Sequence, residues 1–254
     1  MQAETQRPDW RDAGAYAPLL RADRSLVAWE WLRRDARYAS AAAEARCTRD
    51  EHSRSSAARF GLVEFEPCDR PVPNARPLWS SSAYPYVLKA VGAGGAPPQD
   101  AFDIERFADM VALGRDQFGE HLLLSDGLRA LRIDAPAGTF ARGPKRLCFL
   151  LEGIAAAQGP LLTLRRFLAL CSTGTFARSL HRSEPRARRW VLALRAYDAL
   201  LAGAGQRDIA QELLSRTAGE PRWRSRESSI RSQAQRLVRS ARDFAAGGFR
   251  LLLK

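Results

Sequence analysis

The sequence predicts a mainly α-helical protein with one small β-hairpin. Two observations lead to this fold class. In the first and last thirds of the chain, apolar residues recur every three or four positions, which is the period of an amphipathic helix. A single segment, HLLLSDGLRALRID, places two apolar runs around the tight-turn signal Ser125-Asp126-Gly127, as in a hairpin. The expected architecture is a helical N-terminal domain followed by a C-terminal helix-turn-helix variant.

The N-terminal block begins as helix. Apolar residues keep a helical spacing through residues 16–32, and Asp23 is a residue type that caps helices. Trp29 and Trp31 fall on different sides of this helix, so one of the two indoles is expected to pack outside the local core. Further on, FGLVEFE alternates and indicates a short strand or an extended arm. The four prolines that follow, between residues 67 and 77, favour extended backbone.

A linker is predicted at VGAGGAPPQD, Val91–Asp100. Its glycines and prolines disfavour any regular element. We therefore place a domain boundary near residue 97. This divides the chain into residues 1–97, a helical regulator-like domain with a proline-rich arm, and residues 98–254, a helix-turn-helix-type domain that starts with the hairpin.

The central block carries weaker signals apart from the hairpin. DAFDIERFADMVAL, residues 101–114, is read as a helix or as an extended lead-in. The segment from Gly143 to Gly174 has two apolar stripes and predicts two helices that are split near Gly159-Pro160.

Three further helices are predicted near the C-terminus. The first has Pro185 near its start and Gly203 just past its end, the usual asymmetry of helix ends. The second is AGQRDIAQELL. The third carries an apolar stripe at intervals of four, three, four and three residues, formed by Ile230, Ala234, Leu237, Ala241 and Phe244. This order resembles the helix-turn-helix plan. The closing FRLLL is expected to pack back on the core, with oligomerisation as the alternative.

Positive charge is concentrated in the same region. The chain has a net charge of +12, and residues 185–254 alone hold 15 basic and 6 acidic side chains. Only Lys89, Lys145 and Lys254 are lysines, so nearly all of the charge is arginine, whose planar fork suits phosphates and guanine edges. Such a field favours a polyanion as partner.

The polar side of the third helix is the candidate DNA-binding site. Gln and Arg are side chains that read base edges, whereas Ser and Arg also bind the phosphate backbone. Acids are nearly absent here, so pairing within the helix does not account for the arginines. The alternative is a solvated or protein-docking face. The candidate DNA-binding residues are Arg207 on the second helix, Arg224 and Arg226 immediately before the third helix, and Ser228, Ser229, Arg231, Ser232, Gln235, Arg236 and Arg239 at its start and on its polar side.

Enzymes, cofactors and metals are not predicted. The chain has no nucleophile elbow, phosphate loop or zinc-protease motif. Its four cysteines form no CxxC pair, and neither they nor the three histidines have zinc-ligand spacing. Reduced thiols, a polar start without a signal peptide and the lack of a membrane-length apolar run predict a cytoplasmic protein without membrane contact.

The sequence also resembles known families. The stretches RRWVLALRAYDALLAGAGQRDIAQELL and SIRSQAQRLVRSARDFAAGGFRLLL are similar to a variant helix-turn-helix domain, long of unknown function, in regulators of integrative and conjugative elements. The N-terminal WRDAGAYAPLLRADRSLVAWEWLRRDARY and ARFGLVEFEPCDRPVPNARPLW resemble the transcriptional-regulator-like domain that precedes it in FseA-type activators.

This resemblance implies a sequence-specific activator, bound to double-stranded DNA, of genes for excision or transfer of a mobile element. It also implies control by a small antiactivator protein and contact with RNA polymerase. The alternative is an antiactivator-like regulator that binds another transcription factor rather than DNA. The operator, the target promoter, an effector and a homo-oligomeric state are left open by the sequence.

Overall fold

The computed structural model describes residues 7–48, 56–137, 139–141, 143–182, 184–214 and 223–254. Helices take up 48% of the chain, but a curled, mixed sheet of six strands lies in its middle. The prediction of a mainly α protein with one small hairpin is therefore wrong. No helix in the described ranges is long and apolar enough to cross a membrane.

The central sheet contains both parallel and antiparallel pairs. Its strands are β1 (Val87–Ala93), β2 (Ala101–Phe102), β3 (Val111–Asp116), β4 (Gly119–Ser125), β5 (Ala130–Ala135) and β6 (Lys145–Leu150). Their order in the sheet is β2-β6-β1-β5-β4-β3. Only β1 and β5 are parallel among these pairs. The predicted hairpin is confirmed as β4 and β5, which pair from Ser125↔Ala130 onwards.

Two of the missed strands carry misleading sequence signals. Leu147, Leu150 and Leu151 have the spacing of a helix, but the segment is β6, in which Leu147 and Phe149 alternate towards the core. Such short apolar runs are ambiguous between strand and helix. Val91–Ala93 of the expected linker belongs to β1 and pairs with Arg146–Cys148 of β6. The boundary near residue 97 stays a prediction, and these two strands pair across it.

The helices lie mainly at the two ends of the chain. They are α1 (Arg24–Leu32), α2 (Ala36–Thr48), α3 (Gln158–Thr173), α4 (Ala187–Leu201), α5 (Gln206–Ile209, continued by a wider turn over Ala210–Leu214) and α6 (Trp223–Ala245). Short 3-10 turns include Gly14–Leu20, Ile104–Met110, Arg178–Leu180 and Gly248–Leu253. Gly159-Pro160 lies in the first turn of α3 and does not separate two helices.

One core lies between the sheet and α3. Phe167 and Leu170 of α3 are 3% and 0% exposed and pack on Leu88 of β1 and Ile133 of β5. Helix α3 is held there partly by Gly159, since a Cβ at that position would lie 2.6 Å from the carbonyl oxygen of Pro85. The sheet thus supports the helix that leads into the C-terminal region.

A second core joins the two ends of the chain. Trp31 of α1 lies with its ring centroid 5.8 Å from that of Tyr197 in α4 and 5.1 Å from that of Phe244 in α6. Trp10, Trp29 and Trp79 are also buried in this core. The indole expected to pack outside its local core is therefore Trp31, which packs against the C-terminal helices.

A buried polar network fixes the same junction. The guanidinium of Arg34 donates to Asp198 of α4 through Nε and Nη2, each at 2.7 Å, and Tyr16 Oη donates to the same carboxylate at 2.7 Å. Burial disfavours the charged form of Arg34, but the hydrogen bonds with Asp198 and the charge of Glu30 outweigh it and raise the arginine pKa above its usual range. Ions this deep need such partners to remain charged.

Candidate nucleic-acid interface

Helices α4 and α5 both pack against α6. The apolar stripe predicted on α6 is confirmed, because Ala234, Leu237 and Ala241 are 2%, 9% and 0% exposed. Val238, which lies outside the predicted stripe, is 2% exposed and widens it. The buried side of α6 is thus fixed against the core, so the opposite side must face outwards.

Local signals set the ends of these helices. Chain reversal after α4 uses Gly203, whose φ of +79° favours glycine. At the start of α5 the carboxylate of Asp208 accepts the backbone N–H of Gly205 at 3.0 Å, and Ile209 is fully buried. Gly247 ends α6 with a φ of +115°. These features set the end of α4, the start of α5 and the end of α6.

The last residues pack back on the protein. Phe249, Leu252 and Leu253 are buried at 2–3% exposure in a 3-10 turn that contacts α1, whereas Leu251 is 66% exposed. The expectation for FRLLL as a turn against the core is confirmed. This turn also contacts α6.

The outward side of α6 carries the polar residues predicted from the sequence. Exposed positions within the described side chains include Ser229, Arg231, Ser232, Gln235, Arg236 and Arg239. None of its arginines at 231, 236, 239 or 242 forms an ion pair with a described residue. We call this surface, Ser229–Arg239, the basic face of α6. Its role in binding DNA stays a prediction.

Contacts within this face are sparse. Gln233 Nε2 donates to Ser229 Oγ at 3.2 Å, one turn earlier. Asp243 is the only acid between residues 229 and 250, and it lies at the far end of the helix. Among the residues that the structure describes, no carboxylate pairs with these guanidinium groups, so their donors face solvent or an external acceptor there.

The remaining candidate DNA-binding residues are not all described to the same extent. Arg207 is exposed in the first turn of α5, and α5 contacts α6. Arg224, Arg226 and Ser228 belong to α6 by their backbone, so this helix starts earlier than the sequence indicated. Their side chains lie outside the described part of the structure.

A second cluster of basic residues lies between α3 and α4, and the helical periodicity of the sequence does not predict it. Five exposed arginines precede or open α4, and they are Arg178, Arg182, Arg186, Arg188 and Arg189. The distribution of charge along the sequence is the signal that indicates this cluster, whereas the apolar stripe of α6 indicates a site on the third helix alone. We call Arg178–Arg189 the basic loop.

Two family models match separate parts of the chain. Residues 151–254, which contain α3 to α6, match a family described as a T6SS transcription factor, DNA-binding domain. Residues 9–63, which contain α1 and α2, match a proteobacterial transcriptional regulator-like domain. No curated protein and no solved structure was found to match the chain.

Proposed function

Starting from a transcriptional regulator with a C-terminal DNA-binding domain, we propose that this protein is a sequence-specific activator that places the basic face of α6 in the major groove. The helix-turn-helix interpretation belongs to this proposal. Helix α4 would serve as the supporting helix, α5 as the helix across the backbone and α6 as the helix that meets the bases.

The observation that carries the proposal is the combination of exposure and absent counter-charge on α6 within the described residues. Exposed arginines on protein surfaces commonly lie beside carboxylates, as Arg37 does beside Asp35 with a 2.8 Å ion pair. Arg231, Arg236 and Arg239 have no such partner among the described residues. A surface of this kind repels itself in isolation and is stabilised when phosphates neutralise it.

Side-chain chemistry separates base readout from backbone contact. Gln235 and Arg236 are the types that form paired hydrogen bonds with adenine and guanine edges. Ser229 and Ser232 have short hydroxyl side chains, which suit phosphate oxygens. We expect Gln235 and Arg236 to contribute to sequence preference and the serines to contribute to orientation.

Activation and the target genes are supported by family likeness rather than by geometry. The resemblance to FseA-type activators supports excision or transfer genes of a mobile element as targets, a small antiactivator as regulator and RNA polymerase as a contact. The family description of residues 151–254 names T6SS, so T6SS genes are a second candidate class. No enzymatic step and no cofactor is part of the proposal, and a cytoplasmic location stays a prediction.

The first test uses the full-length chain, because Trp31 and Arg34 complete the core of the DNA-binding region. We expect Arg236→Ala combined with Arg239→Ala to weaken binding to a 40-base-pair duplex at least about tenfold, since each arginine contact contributes about 1–3 kcal/mol. Circular dichroism should be unchanged because both side chains are exposed. Arg11→Ala with Arg37→Ala, which removes the same charge from the N-terminal region, is the matched control.

Two outcomes would count against the proposal. Equal loss in both double variants would mean that only net charge matters. Failure of the wild-type chain to bind any duplex, together with capture of another regulator, would favour the antiactivator-like alternative. Chromatin precipitation of the tagged full-length protein then identifies its promoter and decides between mobile-element and T6SS genes.

A further inference from the structure

The basic loop between α3 and α4 presents a second concentration of positive charge. All five of its arginines are exposed, and none forms an ion pair or a side-chain hydrogen bond with a described residue. Arg186, Arg188 and Arg189 lie within one helical turn, so their Cα atoms are close by construction. The charge density at this helix start is therefore at least as high as on α6.

The single acid of the basic loop does not neutralise it. Glu184 Oε1 accepts the backbone N–H of Arg186 at 3.3 Å, and Oε2 lies 3.8 Å from Arg24 Nε. Its side chain is 23% exposed and is directed towards the N-terminal region. The arginine side chains of the loop keep their donors for solvent or for an external ligand.

The backbone of the basic loop is anchored at several points. Arg166 Nε donates to the carbonyl oxygen of Leu180 at 3.1 Å, and His181 Nδ1 lies 2.9 Å from Asp23 Oδ2. Phe176 is 6% exposed and packs edge-on against the ring of His181. An anchored loop loses less conformational entropy on binding than a free one.

The N-terminal end of α4 adds to the positive electrostatic potential of the basic loop. No acidic residue occupies its first turn, which lies wholly within the described residues, in contrast to α5 with Asp208. The helix macrodipole places partial positive charge at this end. Anions are favoured here by the backbone as well as by the side chains.

The basic loop and the basic face of α6 are separate places. Arg24 links Glu184 with the end of the chain, since its Nη2 donates to the carbonyl oxygen of Leu251 at 3.1 Å. The loop thus lies on the side of the C-terminal end of α6, whereas the basic face, Ser229–Arg239, begins nearer the other end of this helix. Along the helix axis, the face extends from about 9 Å at Arg239 to about 24 Å at Ser229 from the last residue of α6, Ala245, at 1.5 Å per residue.

We propose that the basic loop binds backbone phosphates of the same DNA, at a place distinct from the helix that reads the bases. This inference rests on the proposed function. DNA is favoured over an acidic protein because Phe176 before the loop and Trp190 after it are buried, and Leu180, the large apolar residue within the loop, is only partly exposed. A protein-docking surface is expected to expose apolar or aromatic anchors at its centre, and arginines without them suit a phosphate chain.

The test is a variant of the full-length chain in which Arg186, Arg188 and Arg189 are all changed to alanine. Its affinity for a random-sequence 40-base-pair duplex is measured between 50 and 300 mM salt. Removing one arginine–phosphate interaction should reduce the slope of log K against log salt by about 0.9. We expect the slope to become shallower by about 2 to 3, with similar losses on random and on promoter DNA, and phosphate footprinting to lose protection on one flank only.

The matched control is the Arg11→Ala, Arg37→Ala, Arg46→Ala variant, which removes three exposed charges elsewhere. An unchanged slope and footprint in the loop variant would overturn the inference, as would an equal effect of the control. If Arg236→Ala with Arg239→Ala still weakens binding in that case, the proposed function stands and only the loop interaction fails. Wild-type protein that binds no duplex would instead remove the proposed function itself.

Discussion

Arg34 and Asp198, 164 residues apart, form a bidentate and almost fully buried ion pair with both N–O distances at 2.7 Å. Arg34 belongs to the region that matches a regulator-like domain, and Asp198 belongs to the DNA-binding region. The pair therefore connects the two functional parts of the chain. Because α4 also packs against α6, the N-terminal region helps to position the helix proposed to read DNA.

Removing Asp198 should strongly destabilise the protein. Asp198→Ala leaves the guanidinium of Arg34 buried with Glu30 as its remaining carboxylate, and breaking a buried pair costs about 3–5 kcal/mol. Urea unfolding followed by far-UV circular dichroism measures this loss. Arg37→Ala, which breaks the exposed pair with Asp35, should cost much less, because solvent screens an exposed ion pair. Equal costs for the two variants would contradict a structural role for the Arg34–Asp198 pair.

The C-terminal part should not fold normally when separated near residue 97. A fragment of residues 98–254 lacks β1, which lies between β6 and β5, and lacks Trp31 over Tyr197 and Phe244. We expect dye binding typical of exposed apolar surface and a broad, weakly cooperative thermal transition. A sharp transition at the temperature of the full-length protein would show that the shared core is dispensable.

Stability should depend on the protonation of His121. Burial alone disfavours its charged form, but hydrogen bonds with Asp134 and Asp116 raise the pKa of the imidazole above its usual value of about 6.5. The stabilisation is fully present below about pH 6.5 and is lost as the pH rises through the folded-state pKa.

This dependence can be isolated with one substitution. We expect the free energy of unfolding to fall between pH 6.5 and 9 by more in the wild type than in His121→Gln, which remains neutral. Parallel pH profiles for the two proteins would show that the imidazole is uncharged in the fold.

The β3–β4 turn should tolerate no side chain at Gly119. Its φ is +132°, and a Cβ would lie 2.0 Å from the carbonyl oxygen of Ala135 on the neighbouring strand. We expect Gly119→Ala to cost about 3 kcal/mol or more, from strain and from displaced backbone. Gly94→Ala, where nothing lies within 4 Å, is the control for the loss of a glycine. A thermal midpoint that falls equally in both would refute the close approach.

Local periodicity was enough to identify α6 but not the sheet. The stripe from Ala234 to Ala241 is long and regular, so a single helix explains it. Val87–Ala93 contains glycine near its end and pairs with residues far along the chain, and this pairing leaves no local pattern. The sequence also does not distinguish the buried Arg34 from an arginine at the surface. Its burial depends on Asp198 as a partner, and sequence spacing does not identify that partner.

The sequence predicts the exposed residues of the candidate interface more readily than the buried residues that position α6. Arg236 and Arg239 follow directly from their position opposite the apolar stripe. The contribution of Trp31 to the position of α6 required the structure, because aromatic residues in a helix do not specify which distant element they contact. The basic loop depends on a distant contact in the same way, because Glu184 faces Arg24 and not the arginines of the loop.

The most direct test of the central claim is the salt dependence of duplex binding by the full-length protein. If Arg231 and Arg239 neutralise phosphates, log K should fall linearly with log salt with a slope of roughly −2 or steeper, at about −0.9 for each phosphate. Arg236→Ala with Arg239→Ala should make this slope shallower by about 1, because Arg239 supplies the phosphate contact of this pair. A slope near zero in the wild type would contradict the claim that this surface faces DNA.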